Sequence, residues 1–144
     1  MQRTRKKKRL WLGMALLAAG GATYLLFRAD GLLLAIVLRA MGLGRVVDWL
    51  QGTASGLQLP EFFVYNLPGG LWSAAYILLM DEVGSDRPVG ARLGWAAVIP
   101  FMGVASEALQ AIGLLPGTAD AVDAACYALP FIIYVCVTKL TIRK

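Results

Sequence analysis

Long apolar stretches alternate with short polar segments along this chain. The apolar stretches fall at residues 10–27, 71–83, 92–115 and 119–138. A helix of about 20 residues crosses the roughly 30 Å of hydrocarbon in a bilayer, so the short stretch 71–83 predicts a tilted helix or a locally thinned membrane. The pattern as a whole predicts an all-α, polytopic membrane bundle of about four transmembrane helices plus one interfacial helix.

The first apolar stretch follows a basic cluster and admits two interpretations. The cluster contains Arg3, Arg5, Lys6, Lys7, Lys8 and Arg9. Small residues at 19–22 are typical of the end of a cleaved signal peptide, but the stretch is long for such a segment. We therefore expect an uncleaved transmembrane helix whose basic flank stays in the cytoplasm, and cleavage is the alternative.

Residues 31–50 form an apolar segment interrupted by charge, which predicts an interfacial helix. If this segment does not span, Arg28, Arg39 and Arg45 lie outside and the other 11 of the 14 basic residues lie inside. If it spans, about seven basic residues lie inside and six outside, and Arg39 is buried in lipid. The positive-inside rule favours the first arrangement. It predicts a multi-pass protein of the inner (plasma) membrane with both termini in the cytoplasm.

Polar and turn-forming residues divide the chain into four predicted units. These are a basic tail (1–9), a first transmembrane helix (10–27), an extracytoplasmic segment with the interfacial helix (28–66) and a three-helix membrane core (67–144). Residues 81–88 predict a cytoplasmic loop, and Thr118 is a candidate N-cap for the last helix. Gly90 and Gly94 have the spacing of a close contact between helices.

Composition supports the membrane assignment and excludes several kinds of site. Hydrophobic residues make up 58% of the chain and charged residues 16%, whereas soluble domains are nearer half and a quarter. The sequence has no histidine, which removes imidazole bases and histidine-ligated metals. The basic cluster lacks the interleaved aromatic residues of a nucleic-acid site. We therefore expect the lipid bilayer as a partner, and neither nucleic acid nor a cofactor.

Four polar residues near one end of the last two helices are the strongest candidates for a site. Glu107 and Gln110 are three residues apart and share a helix face, as do Asp120 and Asp123. A short turn joins the two helices and makes them antiparallel neighbours, so these faces are expected to meet near the outer membrane boundary. Tyr127 follows Asp123 by four residues on the same side.

Glu107 and Asp120 each have a structural interpretation beside the functional one. A carboxylate at Glu107, between apolar segments, is costly unless it is paired, hydrated or protonated, and a neutral Glu107 can simply bind helices together. Asp120 in a first helical turn is favoured by the helix dipole. Asp120 and Asp123 are the candidate ligands if a metal binds, although few further oxygen ligands are visible. Asn66, with Tyr65 beside it, lies at the outer mouth of the second helix and is a further candidate.

The acidic motif resembles the signature of the VanZ-like membrane proteins: Glu107-x-x-Gln110, a short turn, then Asp120-x-x-Asp123. The Asn66-x-Pro68-x-Gly70 segment is similar to one that precedes an equivalent helix in that family. The resemblance covers residues 66–130, rather less than half of the chain.

This chain departs from the family pattern at three places. The family usually has an arginine just before the first aspartate, and an asparagine and a glycine after the second, where this chain has Gly117, Tyr127 and Pro130. The departures indicate a divergent member. The resemblance implies a small multi-helix protein of the bacterial cell envelope, in a family named for lowered susceptibility to the glycopeptide teicoplanin.

Three functions follow from these observations, and the sequence favours the first; a transporter is a weaker fourth, because four helices are few for alternating access unless the protein oligomerises. The first is an outer-facing acidic pocket that binds a polar headgroup, a cell-wall precursor or a cation, without turnover. The second is a membrane-embedded enzyme acting on lipid-linked envelope material, with Glu107 as general acid or base. The third is a purely structural or assembly protein. A lipid-linked cell-wall precursor is the expected partner in the first two cases, and assembly into a homo-oligomer stays open.

Overall fold

Six α-helices and two wider π-helical turns make up the computed structural model, which describes residues 2–28 and 33–142. The helices are α1 (Gln2–Phe27), α2 (Leu33–Leu38), α3 (Gly44–Ala54), α4 (Leu67–Val83), α5 (Val89–Ala111) and α6 (Ala121–Ile142). The π-helical turns are Arg39–Leu43, before α3, and Phe62–Asn66, before α4. The described residues contain no strand, which confirms the all-α prediction.

Four helical segments are long and apolar enough to cross a membrane. Within the described ranges they are Lys7–Phe27, Phe62–Val83, Val89–Ala111 and Ala121–Leu140. Many large apolar side chains of these segments point away from the bundle, and Phe101, for example, is 73% exposed. Such a surface is stable in contact with lipid rather than water. The chain is therefore a multi-pass helical membrane protein, as its hydrophobic pattern predicts.

Helix α4 lies at the centre of the bundle and contacts α1, α5 and α6. Its buried residues include a row at four-residue spacing, Gly69, Ser73, Ile77 and Asp81, which places them on one helix face. Small side chains in this row let α6 approach closely. The Ser73 hydroxyl then donates a hydrogen bond of 2.9 Å to the backbone carbonyl of Tyr127 on α6.

Two ion pairs show how the long helices are oriented. Arg9, near the start of α1, lies 2.7 Å from Asp81 in the last turn of α4, and Arg92 in the first turn of α5 donates to the same carboxylate. The start of α1, the end of α4 and the start of α5 therefore share one end of the bundle. We call this the basic end, defined by Arg9, Arg92 and Lys139, and the opposite one, defined by Glu107, Asp120 and Asp123, the acidic end.

The second span is longer than its predicted range of 71–83. Helical structure begins at Phe62 and makes a span of 22 residues, Phe62–Val83, so no thinned bilayer is needed. Because Pro68 lacks a backbone N–H, the sequence places the start of the helix close to it. A π-helical turn at Phe62–Asn66 precedes it instead, and such wide turns accommodate an irregular hydrogen-bond ladder.

The loop predicted at 81–88 is shorter in the structure. Asp81 belongs to α4 and is 3% exposed. The sequence instead places Asp81 in the cytoplasmic loop 81–88. Its burial is made tolerable by two guanidinium groups, from Arg9 and Arg92, that come from other helices.

The segment between the first two spans contains α2, a π-helical turn and α3. None of the candidate spans found among the described residues falls within it. Gly42 interrupts its helical course with φ of 83°, a backbone conformation that favours glycine. The Gln51 side-chain amide donates 3.0 Å to the Leu25 carbonyl, so α3 lies against the acidic end of α1.

Candidate functional site

The acidic end of the bundle holds a cavity of about 420 Å³, a size typical of ligand pockets. Side chains from α5, from the start of α6 and from the π-helical turn before α4 line it. Five of the six residues singled out from the sequence are among them: Asn66, Glu107, Gln110, Asp120 and Asp123. The structure thus brings together residues that are separated by more than 50 positions in the chain.

Asp120 caps the start of α6. Its Oδ1 atom accepts a hydrogen bond of 2.8 Å from the Val122 backbone N–H, and its backbone carbonyl accepts the first intrahelical bond, from Ala124. This is the geometry of an N-cap residue, so the prediction of Thr118 as the cap is wrong. Helix α5 ends at Ala111, earlier than the predicted 115, and the longer connection carries Thr118 to the rim of the cavity.

Asn66 holds the two aspartates side by side. Its Nδ2 atom donates to Asp120 Oδ2 at 2.8 Å and to Asp123 Oδ1 at 2.9 Å. An amide nitrogen carries two hydrogens, and carboxylates only accept, so both donors are used and the amide orientation is determined. Asn66 is 7% exposed and is the last residue of the π-helical turn, a type of irregularity that is frequent at functional sites.

Glu107 joins α5 to the start of α6. Its Oε2 atom accepts a hydrogen bond of 2.8 Å from the Asp120 backbone N–H. The carboxyl group therefore has a partner in the membrane, as its position between apolar segments requires. Glu107 also lines the cavity, so one side chain both supports the turn and contributes an acceptor to the site.

Gln110 lies against the connection between α5 and α6. Gly117 has φ of +129°, and a Cβ atom built on it would come within 3.0 Å of the Gln110 amide carbon. The absence of a side chain at position 117 therefore leaves room for Gln110 beside the cavity. The shared face of Glu107 and Gln110, predicted from their spacing, is present.

Tyr127 does not line the cavity, in contrast to its place among the candidate ligand residues. Its ring packs between Gly69 of α4 and Gly103 of α5, and a Cβ atom on Gly103 would come within 2.3 Å of the ring. Tyr127 is therefore a packing residue. The close approach to α5 occurs at Gly103, whereas a Cβ atom placed on Gly90 or Gly94, the predicted contact pair, would meet open space within 4 Å.

Two charged residues of the cavity were missed by sequence reasoning. Arg28 and Glu61 both line it. The Arg28 guanidinium lies over the rings of Tyr24, at 5.0 Å, and Tyr65, at 5.2 Å, distances typical of cation–π contacts. The available signal was position: Arg28 directly follows the first apolar stretch, so it had to lie at the same end as the acidic motif.

The cavity is rich in negative charge. Four carboxyl groups, those of Glu61, Glu107, Asp120 and Asp123, face one guanidinium. Hydrogen bonds from the Val122 backbone N–H, and then from Asn66, lower the pKa of Asp120 below its ordinary value of 3.8, so this carboxylate is ionised at neutral pH. A ligand with N–H or O–H donors, and above all a protonated amine, is the natural complement of such a lining.

Asp120 and Asp123 are the pair that the sequence suggests as metal ligands. In the ranges 2–28 and 33–142 no group of three or more histidine, cysteine, aspartate or glutamate residues has the geometry to hold a metal ion. The suggested pair, Asp120 and Asp123, is instead occupied by the Asn66 amide.

Comparison of the chain with protein-family models, curated proteins and solved structures finds no match in any of the three. No relative therefore assigns a role to the cavity residues. Their function has to be inferred from the geometry and charge of the cavity itself.

Proposed function

We propose that this chain is a VanZ-like integral membrane protein of the bacterial cell envelope, and that its acidic cavity binds a ligand on the outer side of the membrane without turnover. The ligand is a polar headgroup, a cell-wall precursor or a cation. The feature shared by these classes is a positive charge or a set of N–H and O–H donors, which matches a lining of carboxylates.

The bridging of Asp120 and Asp123 by Asn66 is the observation that carries this proposal. Two carboxylates at the mouth of a membrane bundle repel one another, and the Asn66 amide holds them together at 2.8 and 2.9 Å. The arrangement concentrates acceptors beside a cavity of about 420 Å³. Such preorganised acceptors, with no nucleophile–base pair among them, favour binding over turnover.

The outward orientation rests on charge. Arg9, Arg92 and Lys139 mark the basic end, and the sequence places 11 of 14 basic residues on that side. The positive-inside rule assigns this side to the cytoplasm. The acidic cavity, at the other end of the bundle, then opens toward the outer leaflet and the cell wall.

A structural role is the second candidate, because the hydrogen bonds found at the site are also those that hold helices together. Glu107 supports the start of α6 through the Asp120 N–H, and Asn66 links the turn before α4 to α6. Glutamine at position 107 separates the two roles. Its side-chain oxygen still accepts from the Asp120 N–H, so the fold is retained, while the negative charge is lost.

The binding test uses purified full-length protein in neutral detergent, with phosphatidylethanolamine and a lipid-linked cell-wall precursor as separate probes. We expect at least one probe to raise the melting temperature of the wild type. Glu107→Gln should melt at the wild-type temperature without a probe and bind about tenfold more weakly, since a charge-assisted hydrogen bond is worth some 1.5–3 kcal/mol. Asp86→Asn, at an exposed loop position outside the cavity, is the matched control.

The cellular test measures susceptibility to teicoplanin, because the family that the chain resembles is named for lowering it. Cells expressing the wild type should be less susceptible than cells without it, and Glu107→Gln and Asp123→Asn should remove the difference at unchanged protein level in the membrane. If both variants bind every probe and protect cells as the wild type does, the cavity is not a ligand site. The structural role would then be the correct one.

A further inference from the structure

A second cavity, of about 290 Å³, lies at the basic end and is lined by all four long helices. Its polar part is built around Asp81, which is 3% exposed. Asp81 accepts hydrogen bonds from Arg9 Nη1 at 2.7 Å, from Arg92 Nε at 2.9 Å and from the Tyr134 hydroxyl at 2.5 Å. Two guanidinium groups share one carboxylate, so the cluster keeps one positive charge in excess.

Apart from Thr138, the remainder of the cavity wall is apolar. It is formed by Ile77, Leu78, Val89, Ile133 and Val137. Ile133 is 54% exposed on α6, within a candidate span, so this wall continues onto the surface that faces lipid. The cavity therefore has a positively charged part that continues into an apolar groove.

The charged part of the cavity, built around Asp81, lies at the depth of the lipid headgroups in a bilayer. Asp81 is two residues before the end of α4 and Arg92 is three residues after the start of α5. At a rise of 1.5 Å per residue, both lie within about 5 Å of a helix end. A lipid in the adjacent leaflet places its phosphate at this level and its acyl chains further in, along the apolar wall.

We propose that this cavity binds an anionic phospholipid, with its phosphate on Arg9 and Arg92 and one acyl chain against Ile133 and its neighbours. A guanidinium carries five N–H donors, and the bonds to Asp81 use one of Arg9 and two of Arg92. The remaining donors match phosphate oxygens in bidentate geometry. Basic pockets between transmembrane helices on the cytoplasmic side are suited to such headgroups.

The excess positive charge selects among lipids. A phosphatidylcholine brings a quaternary ammonium group toward two guanidinium groups, which repel it, whereas phosphatidylglycerol brings no cation. This site lies at the opposite end of the bundle from the acidic cavity, and the proposal does not depend on the function of that cavity.

The test uses the full-length protein in neutral detergent, titrated with phosphatidylglycerol or phosphatidylcholine, with the melting temperature as readout. Phosphatidylglycerol should raise it more than phosphatidylcholine does. Arg9→Gln should bind phosphatidylglycerol about tenfold more weakly, while Arg92 and Tyr134 keep Asp81 hydrogen-bonded. Lys8→Gln removes the same charge one residue earlier, outside the cavity lining, and should respond as the wild type.

A second pair of variants tests the acyl groove without changing any charge. Ile133→Trp fills the apolar wall and should also weaken the response, whereas Ile132→Trp, at a 56% exposed position outside the cavity, should not. If Arg9→Gln does not fold, this pair of variants still tests whether the cavity binds the lipid. The proposal is overturned if each variant matches its control, or if water-soluble glycerophosphoglycerol stabilises the protein as strongly as the lipid does.

Discussion

The carboxyl group of Glu107 accepts a hydrogen bond of 2.8 Å from the backbone N–H of Asp120. A residue that looked isolated between apolar segments is thereby paired, and its partner is a main-chain group that every residue except proline provides. The bond also positions Asp120, whose own carboxylate is held by Asn66. A single contact thus connects the stability of the α5–α6 connection to the arrangement of acceptors in the cavity.

Replacing Asn66 with alanine should destabilise the acidic end. The two aspartates lose both N–H donors that offset their repulsion, and we expect the free energy of unfolding to fall by about 1–3 kcal/mol, measured in mixed detergent micelles at pH 7. The loss should shrink in acid, where the carboxylates are protonated. Ser55→Ala, at an exposed position whose hydroxyl bonds a carbonyl of its own turn, is the control. An unchanged stability of Asn66→Ala would show that the bridge contributes nothing.

Replacing Gly103 with alanine should disturb the contact between α5 and α6. The new methyl group would lie 2.3–2.6 Å from atoms of the Tyr127 ring, and overpacking of this kind costs about 1–3 kcal/mol. Gly94→Ala, on the same helix but with open space around it, should be neutral or slightly stabilising because alanine favours helix. Truncation of the ring by Tyr127→Leu should recover part of the loss. Equal melting temperatures for the two alanine variants would contradict the described packing.

The stability of the protein should depend on pH through Asp120. Its pKa is lowered in the folded state from an ordinary value of 3.8, chiefly by the Val122 N–H and then by Asn66. A lowered folded-state pKa contributes stability above about pH 4, which is lost as the pH falls through the folded value. The melting temperature should therefore fall as the pH is lowered below about 4, and fall less in Asp120→Asn, which keeps an N-cap residue. Parallel curves for the two proteins would disprove this contribution.

The orientation of the bundle is tested by reporter fusions. A tag active in the cytoplasm should be active after Ser85 and at the carboxyl terminus, and silent after Ser55, because the positive-inside rule places the basic end in the cytoplasm. An externally active tag should give the reverse pattern. An external signal after Ser85 would place the acidic cavity on the cytoplasmic side and remove the proposed access to the cell wall.

Much of the architecture was predictable from local pattern. An apolar stretch of about 20 residues has one favourable environment, so the membrane class and the four spans follow from the sequence. The three-residue spacing of Glu107 and Gln110 determines that they share a face. The turn at 116–118 makes the two helices antiparallel. For these reasons Glu107, Gln110, Asp120 and Asp123 line one cavity.

Only the tertiary structure decided which polar groups find partners. Asn66 and Asp120 are 54 positions apart and Arg9 and Asp81 are 72 apart, and periodicity within a helix carries no information about contacts at that separation. The same holds for Tyr127, whose position four residues after Asp123 suggested a ligand contact and whose ring instead fills the space left by Gly103. Hydrophobic pattern determines which segments enter the membrane. Close packing between helices determines which side chains meet there.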